Sequence, residues 1–175
     1  DVQLRTGLAM RTPGPELKIE VAADAPRAPA LDERESYSLE VDDTGVRLTA
    51  EQPAGVLRGL ATLRQLIDTD AEGFALPRLS IRDAPRFAWR GLLVDVARHF
   101  VGIPTLKRQI DAMERVKLIV LHLHVSDNEA FRIESLRFPR LTQASPSAGH
   151  YTQDEVRELV AYAAARGVRI VPEID

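Results

Sequence analysis

The chain has 175 residues, 45% of them hydrophobic, 28% charged and 5% aromatic, with a formal net charge of −3. That is the composition of a globular protein with one large domain or two small ones, and it offers no basic surface for nucleic acid or an anionic membrane. No apolar run nears the roughly 20 residues that cross a bilayer, and the absence of cysteine excludes disulfides, thiolate metal sites and cysteine nucleophiles.

The chain opens on Asp1 with no charged-then-apolar leader, as expected of a processed protein or a piece of a longer polypeptide. Leu17 to Val21 alternates apolar and polar residues and predicts a half-buried strand. A loop with Pro26 and Pro29 follows. Two further alternating runs, Tyr37 to Val41 and Val46 to Thr49, flank Asp42-Asp43-Thr44-Gly45 and predict a β-hairpin. After Pro53 the period lengthens. Val56, Leu60, Leu63 and Ile67 share one helical face, widened by Leu57 and Leu66, and Pro53 suits the first turn, where its missing N–H costs nothing. Gly73 to Pro85 reads as exit chain, which puts a domain boundary near Pro85, with a small α+β domain over 1–84.

From there strands and helices alternate. Gly91 to Val96 is almost continuously apolar, as in a strand buried on both faces. Pro104 opens a helix with Leu106, Ile110 and Met113 in one stripe, and Leu118 to Val125 is the next strand. Thr152 and Glu155 form a capping box for a helix carrying Val156, Leu159, Val160 and Ala163. Gly167 ends that helix, and Val168 to Val171 is a third strand. Alternation of this kind means parallel strands with right-handed crossovers, in an open sheet or a closed barrel. No glycine-rich phosphate fingerprint follows the first strand, which speaks against a nucleotide-binding sheet. About 90 residues remain after Pro85, less than half of the roughly 250 in a complete (β/α)8 barrel.

In either architecture the chemistry gathers at the carboxyl ends of the strands. Those ends lead to Arg98 and His99, to Ser126-Asp127-Asn128-Glu129, and to Glu173-Ile174-Asp175. A sheet built only for packing gains nothing from such polar ends. His122 and His124, two apart on a strand, face the same side. That spacing could suit a metal, but no third ligand is evident, and hydrogen-bonded supporting histidines are the expectation. Asp95 within the first strand would be costly without a partner, so Arg98, His122 or His124 is expected beside it.

The same stretches carry a resemblance. Trp89 to Phe100 with Lys107 to Asp111, His122 to Asp127 with Phe131 to Glu134, and Tyr151 to Gln153 with Val171 to Asp175 resemble the first three strand regions of family 20 glycoside hydrolases, the β-N-acetylhexosaminidases. Residues 1–84 are similar to the small domain that precedes the barrel there. The resemblance implies an α/β fold, with 85–175 the start of a (β/α)8 TIM barrel of about three βα units. It implies retaining hydrolysis of terminal β-linked N-acetylglucosamine or N-acetylgalactosamine. This family is a recognised exception to the two-carboxylate scheme, because the substrate's own acetamido oxygen is the nucleophile. It needs no cofactor and no metal. The general acid and the acetamido-orienting carboxylate are an adjacent Asp-Glu pair after the fourth strand, beyond Asp175, so the 175 residues alone are expected to be inactive.

On this resemblance Arg90 is the arginine that grips sugar hydroxyls, a role suited to a planar fork of donors. Asp127 supports catalysis by pairing with a histidine of a Pro-Gly-His turn beyond Asp175. Asp95, Arg98, His99, His122, His124, Glu173 and Asp175 are rim or structural supports. The expected partner is a carbohydrate, with no nucleic acid and no membrane, in a periplasmic or secreted rather than cytoplasmic setting. Asn128 replaces a second Asp common in the family, Ala130-Phe131 replaces Gly-Trp, and Leu123 replaces the Trp of some members, all of which bears on the second loop. The competing reading is a non-catalytic carbohydrate-binding or scaffold protein with the same fold. An unrelated barrel lyase or isomerase is a weaker third.

Overall fold

The computed structural model describes residues 16–24, 28–70, 73–143 and 149–175, so Pro26 lies outside the described residues. The chain divides into one unit of Asp1–Arg27 and Asp32–Ala88 and a second of Ala28–Leu31 and Trp89–Asp175.

In the first unit, β1 (Glu16–Val21), β2 (Tyr37–Asp42), β3 (Gly45–Ala50) and β6 (Leu79–Asp83) form a sheet in the order β1-β3-β2-β6. The expected hairpin is present, with β2 antiparallel to β3 and Asp42 opposite Gly45. The Asp42 carboxylate accepts the Thr44 N–H at 2.7 Å and the Thr44 hydroxyl at 2.6 Å, a local turn lock. Gly45 has φ 144°, and a Cβ there would lie 2.4 Å from the Glu16 carbonyl, so only glycine fits where β1 approaches.

Leu17 to Val21 does form a strand, parallel to β3, but it is not half-buried. Leu17, Ile19 and Val21 stay more than two-fifths exposed, because helix α1 (Pro53–Leu66) packs chiefly over β2 and β3. The expected stripe of α1 does meet the sheet: Leu63 and Ile67 are buried, and Val56, Leu60 and Leu66 pack half-buried against the core. The buried face is broader than that stripe, with Ala54, Gly55, Arg58, Gly59 and Ala61 buried as well. The reason is close approach: a Cβ on Gly59 would meet Leu48 Cδ1 at 2.3 Å. Arg58 is tolerated inside because its Nε donates to the buried Glu35 carboxylate at 2.6 Å. The segment read as exit chain is structured too. Asp68–Asp70 (β4) and Gly73–Ala75 (β5) form a short antiparallel ribbon, and β6 pairs with β2.

The second unit is the alternating half. Strands β7 (Gly91–Asp95), β8 (Val120–His124) and β11 (Arg169–Glu173) form a parallel sheet in the order β11-β8-β7. Helix α2 (Ile103–Arg115) crosses from β7 to β8. Between β8 and β11 come a tiny hairpin of β9 (Ser126–Asp127) and β10 (Ala130–Phe131), a single turn α3 (Arg140–Gln143) and helix α4 (Gln153–Ala164). Leu106, Ile110 and Met113 of α2 are at most 1% exposed, each such burial being worth about 1.5–3 kcal/mol. They meet Leu121, Leu123 and Val125 with Leu159, Ala163 and Val168 in one core. The capping box is present: Thr152 Oγ1 accepts the Glu155 N–H at 3.2 Å and the Glu155 carboxylate accepts the Thr152 N–H at 2.8 Å. Gly167 (φ 63°) turns the chain out of that helix, whereas α2 ends on Lys117 at φ 61°, a conformation costly for a residue with a Cβ. Val160 is 47% exposed, on the solvent side of its stripe.

One expectation fails in a way that matters for the site. β7 is not buried on both faces. Leu92 and Val94 pack against the helices, but Leu93, pointing the other way, is 52% exposed. Strand register places Leu93, His122 and Val171 side by side on that second face.

Candidate active site

One step further along the same face, register aligns Asp95 of β7 with His124 of β8 and His124 with Glu173 of β11. Three ionisable side chains thus form a row across the carboxyl ends of three parallel strands. Alternation dictates it, since each lies two residues beyond Leu93, His122 and Val171.

The row is wired by opposite charges. Glu173 Oε2 lies 2.9 Å from His124 Nδ1 and 3.0 Å from His122 Nε2. His124 Nε2 lies 3.1 Å from Asp127 Oδ2. Arg98 binds Asp95 Oδ2 through Nη1 at 2.7 Å and Asp127 through Nη2. Carboxylates therefore flank both nitrogens of His124, and only the imidazolium can donate to both. In keeping with this, the Glu173 hydrogen bond first and the Asp127 bond second raise the His124 pKa above its ordinary 6.5. Asp127 is held below 3.8, first by the Asn128 N–H at 2.7 Å and then by His124. Asp95 is lowered chiefly by the backbone N–H of Arg98, which it accepts at 3.0 Å along with that of Ala97. Asp95 thus has the Arg98 partner that its strand position demands.

The positions of the other candidates follow. His99 is exposed beside Arg98. The Asp175 N–H donates to the buried Ser126 Oγ at 3.0 Å, and Ser126 Oγ donates to the Asp175 carbonyl at 3.2 Å, which pins the end of β11 to β9. His124, Asp127 and Asp175 bring one possible ligand atom each within 4.8 Å of one another among the described residues. Of these, His124 and Asp127 are bonded to each other at 3.1 Å, and Asp175 is held through its backbone.

Arg90 is the exception. It precedes β7, at the opposite end of the sheet from the ionisable row, and its Nε donates to the Lys117 carbonyl at 3.0 Å. The strand geometry separates Arg90 from Asp95, Arg98, His124, Asp127 and Glu173, which it brings together. The guanidinium that stands at the carboxyl ends, 57% exposed and held by two carboxylates, is that of Arg98.

Two supporting residues carried no assigned role in the sequence. Arg132, 3% exposed, donates from Nε to the Val96 carbonyl at 2.8 Å, from Nη2 to Ala97 at 2.7 Å and from Nη1 to Gly149 at 2.9 Å. Tyr151, 1% exposed, donates its hydroxyl to the Val101 carbonyl at 2.5 Å and packs on Phe100 with ring centroids 4.9 Å apart. Together they clamp the loop that carries Arg98. Both lie in stretches that carry the family resemblance, Phe131 to Glu134 and Tyr151 to Gln153, but neither stretch shows in sequence what the two side chains hold.

The model of glycosyl hydrolase family 20, catalytic domain, matches residues 87–175, and that of glycosyl hydrolase family 20, domain 2, matches residues 3–84. The chain belongs to glycosyl hydrolase family 20. Among family relatives, a beta-hexosaminidase of Vibrio furnissii is 38% identical over 165 residues, covering 84% of this chain and 27% of its own length. The beta-hexosaminidase subunit beta of Mus musculus is 40% identical over 162 residues, covering 91% of this chain and 30% of its own. Among solved structures, a Flavobacterium johnsoniae chitobiase superposes with a TM-score of 0.90 at 39% identity, over 99% of this chain and 28% of that one. A Streptomyces plicatus N-acetyl-beta-hexosaminidase in complex with Thio-NAglucal superposes with a TM-score of 0.79 at 37% identity, over 91% and 34%. This chain therefore spans about a third or less of the family 20 proteins it matches.

Proposed function

We propose that this chain is the amino-terminal portion of a β-N-acetylhexosaminidase that removes terminal non-reducing N-acetyl-β-hexosamine. The observation that carries the reading is the charge-wired row Asp95–His124–Glu173, with Arg98 and Asp127, at the carboxyl ends of a parallel sheet in a family 20 catalytic domain. In this reading residues 1–84 are the domain that precedes the barrel and 85–175 are its first three βα units. The half-exposed face of Leu93 and His122 is then barrel interior, covered when further strands close the sheet.

The chemistry assigned to this chain is binding and orientation. The Arg98 fork, kept in place by Asp95 and Asp127, presents donors to adjacent sugar hydroxyls, so the sugar-gripping role passes from Arg90 to Arg98. Asp127, kept ionised, stands ready to hold a further histidine beyond Asp175. The acid and the carboxylate that orients the acetamido group also lie beyond Asp175, and the reaction is retaining and substrate-assisted. Without those groups the 175 residues lack the chemical step. The test compares release of the aryl alcohol from an aryl N-acetyl-β-glucosaminide by the full-length polypeptide and by residues 1–175. Turnover by the first alone supports the reading. Turnover by the second, or by neither, contradicts it.

A further inference from the structure

The loop that leaves β7 is held by two opposed sets of hydrogen bonds. On one side the Asp95 carboxylate takes the N–H groups of Ala97 and Arg98, each at 3.0 Å. On the other side Arg132 takes the carbonyls of Val96 and Ala97 at 2.8 and 2.7 Å, and its third donor reaches Gly149 at 2.9 Å. The buried guanidinium thus meets a carbonyl oxygen at each of its three nitrogens, and those oxygens come from two separate segments. The Phe100 ring, 5.6 Å from the guanidinium carbon, adds a cation–π contact from the same loop. Gly149 has φ 76°, and a Cβ there would lie 2.9 Å from Phe100, so that side of the clamp is closely fitted as well.

The geometry points to Arg132 as a positioning residue for substrate binding: by fixing the backbone of Val96 and Ala97, it aims the Arg98 guanidinium at the sugar. This rests on the reading of the strand-end rim as the sugar site. Arg132 itself is buried and touches no substrate. Lysine cannot replace it, since one ammonium cannot span three carbonyls that a planar fork meets at once.

A double-mutant cycle in the full-length polypeptide tests the inference, with kcat/KM on an aryl N-acetyl-β-glucosaminide and Tm measured for each variant. R132K is expected to lower kcat/KM on the order of tenfold or more in the wild-type background. In an R98A background it is expected to cost less than about threefold, because the residue it acts through is gone. Equal cost in both backgrounds, or no cost in either, overturns the inference. If R132K does not fold, F100L, which removes the ring but keeps every donor, is expected to show the same non-additivity with a smaller loss, and additivity overturns the inference again. A readout independent of turnover is the guanidinium NMR signal of Arg98. It should be dispersed and slow to exchange in wild type and collapse in the R132K or F100L variant. If it stays unchanged the clamp is purely structural, whereas an inactive wild type would count against the hexosaminidase reading alone.

Discussion

Tyr151 gives a prediction whose size follows from the structure. Burial pushes its phenol from 10.0 up to about 12. The folded value lies above the unfolded one, so the buried neutral phenol contributes stability that is fully present below pH 10 and is lost as pH rises toward 12. Each pH unit between those values is worth about 1.4 kcal/mol, which makes the contribution about 3 kcal/mol, good to roughly a factor of two. Y151F keeps the ring against Phe100 but deletes both the titration and the bond to the Val101 carbonyl. It should cost about 1 kcal/mol at pH 7. Between pH 10 and 12 the difference between wild type and Y151F should shrink and then change sign, since only the wild type carries the alkaline loss. Urea unfolding at a series of pH values reads this directly, and the difference in absorbance near 295 nm between wild type and Y151F should show the Tyr151 phenol ionising only at the alkaline end or with unfolding. Parallel pH profiles for the two proteins, or a Tyr151 phenol that titrates near pH 10 in the folded state, would refute the reasoning.

Three further outcomes are expected. The rim should hold its full set of charge pairs between about pH 4 and 6.5: Asp95 and Asp127, lowered, lose their contribution as pH falls through their folded values, and His124, raised, loses its own as pH rises through its folded value. E173Q should bring the His124 imidazole titration back toward 6.5, measured by histidine NMR, with a smaller decrease in D127N; an unchanged titration in both would show that the carboxylates do not hold the imidazolium. K117G, which removes the Cβ from a left-handed position, should raise unfolding free energy by about 1 kcal/mol in urea titrations, and a loss would show that the side chain outweighs the strain.

The parts legible in the sequence were those governed by local rules. The hairpin at Asp42 to Gly45, the α2 stripe, the capping box at Thr152 and the polar strand ends all follow from period, turn chemistry or capping, and all are in the structure. The remainder depended on what packs against what. Leu17, Ile19 and Val21 alternate like a half-buried strand, but alternation does not say whether a helix reaches that edge of the sheet. The apolar stripe of α1 was legible, but not the full breadth of its buried face, because glycines, invisible to a hydrophobic pattern, allow the closest approach. Arg90 and Arg98 lie in one motif eight residues apart, and only the strand direction between them shows which stands at the reactive end. Arg132 lies in a stretch the sequence singles out, but its role was not legible there because the carbonyls it meets belong to other segments, which leave no mark in sequence.

The most direct test of the rim as the sugar site is a comparison of R98A with R90A in the full-length polypeptide, by kcat/KM on an aryl N-acetyl-β-glucosaminide. Loss of a charged donor to two hydroxyls predicts a fall of at least about a hundredfold for R98A, and a change of no more than about threefold for R90A, whose guanidinium serves the Lys117 carbonyl at the far end of the sheet. A severe loss in R90A with R98A near wild type would contradict the account and return the sugar-binding role to the amino end of β7.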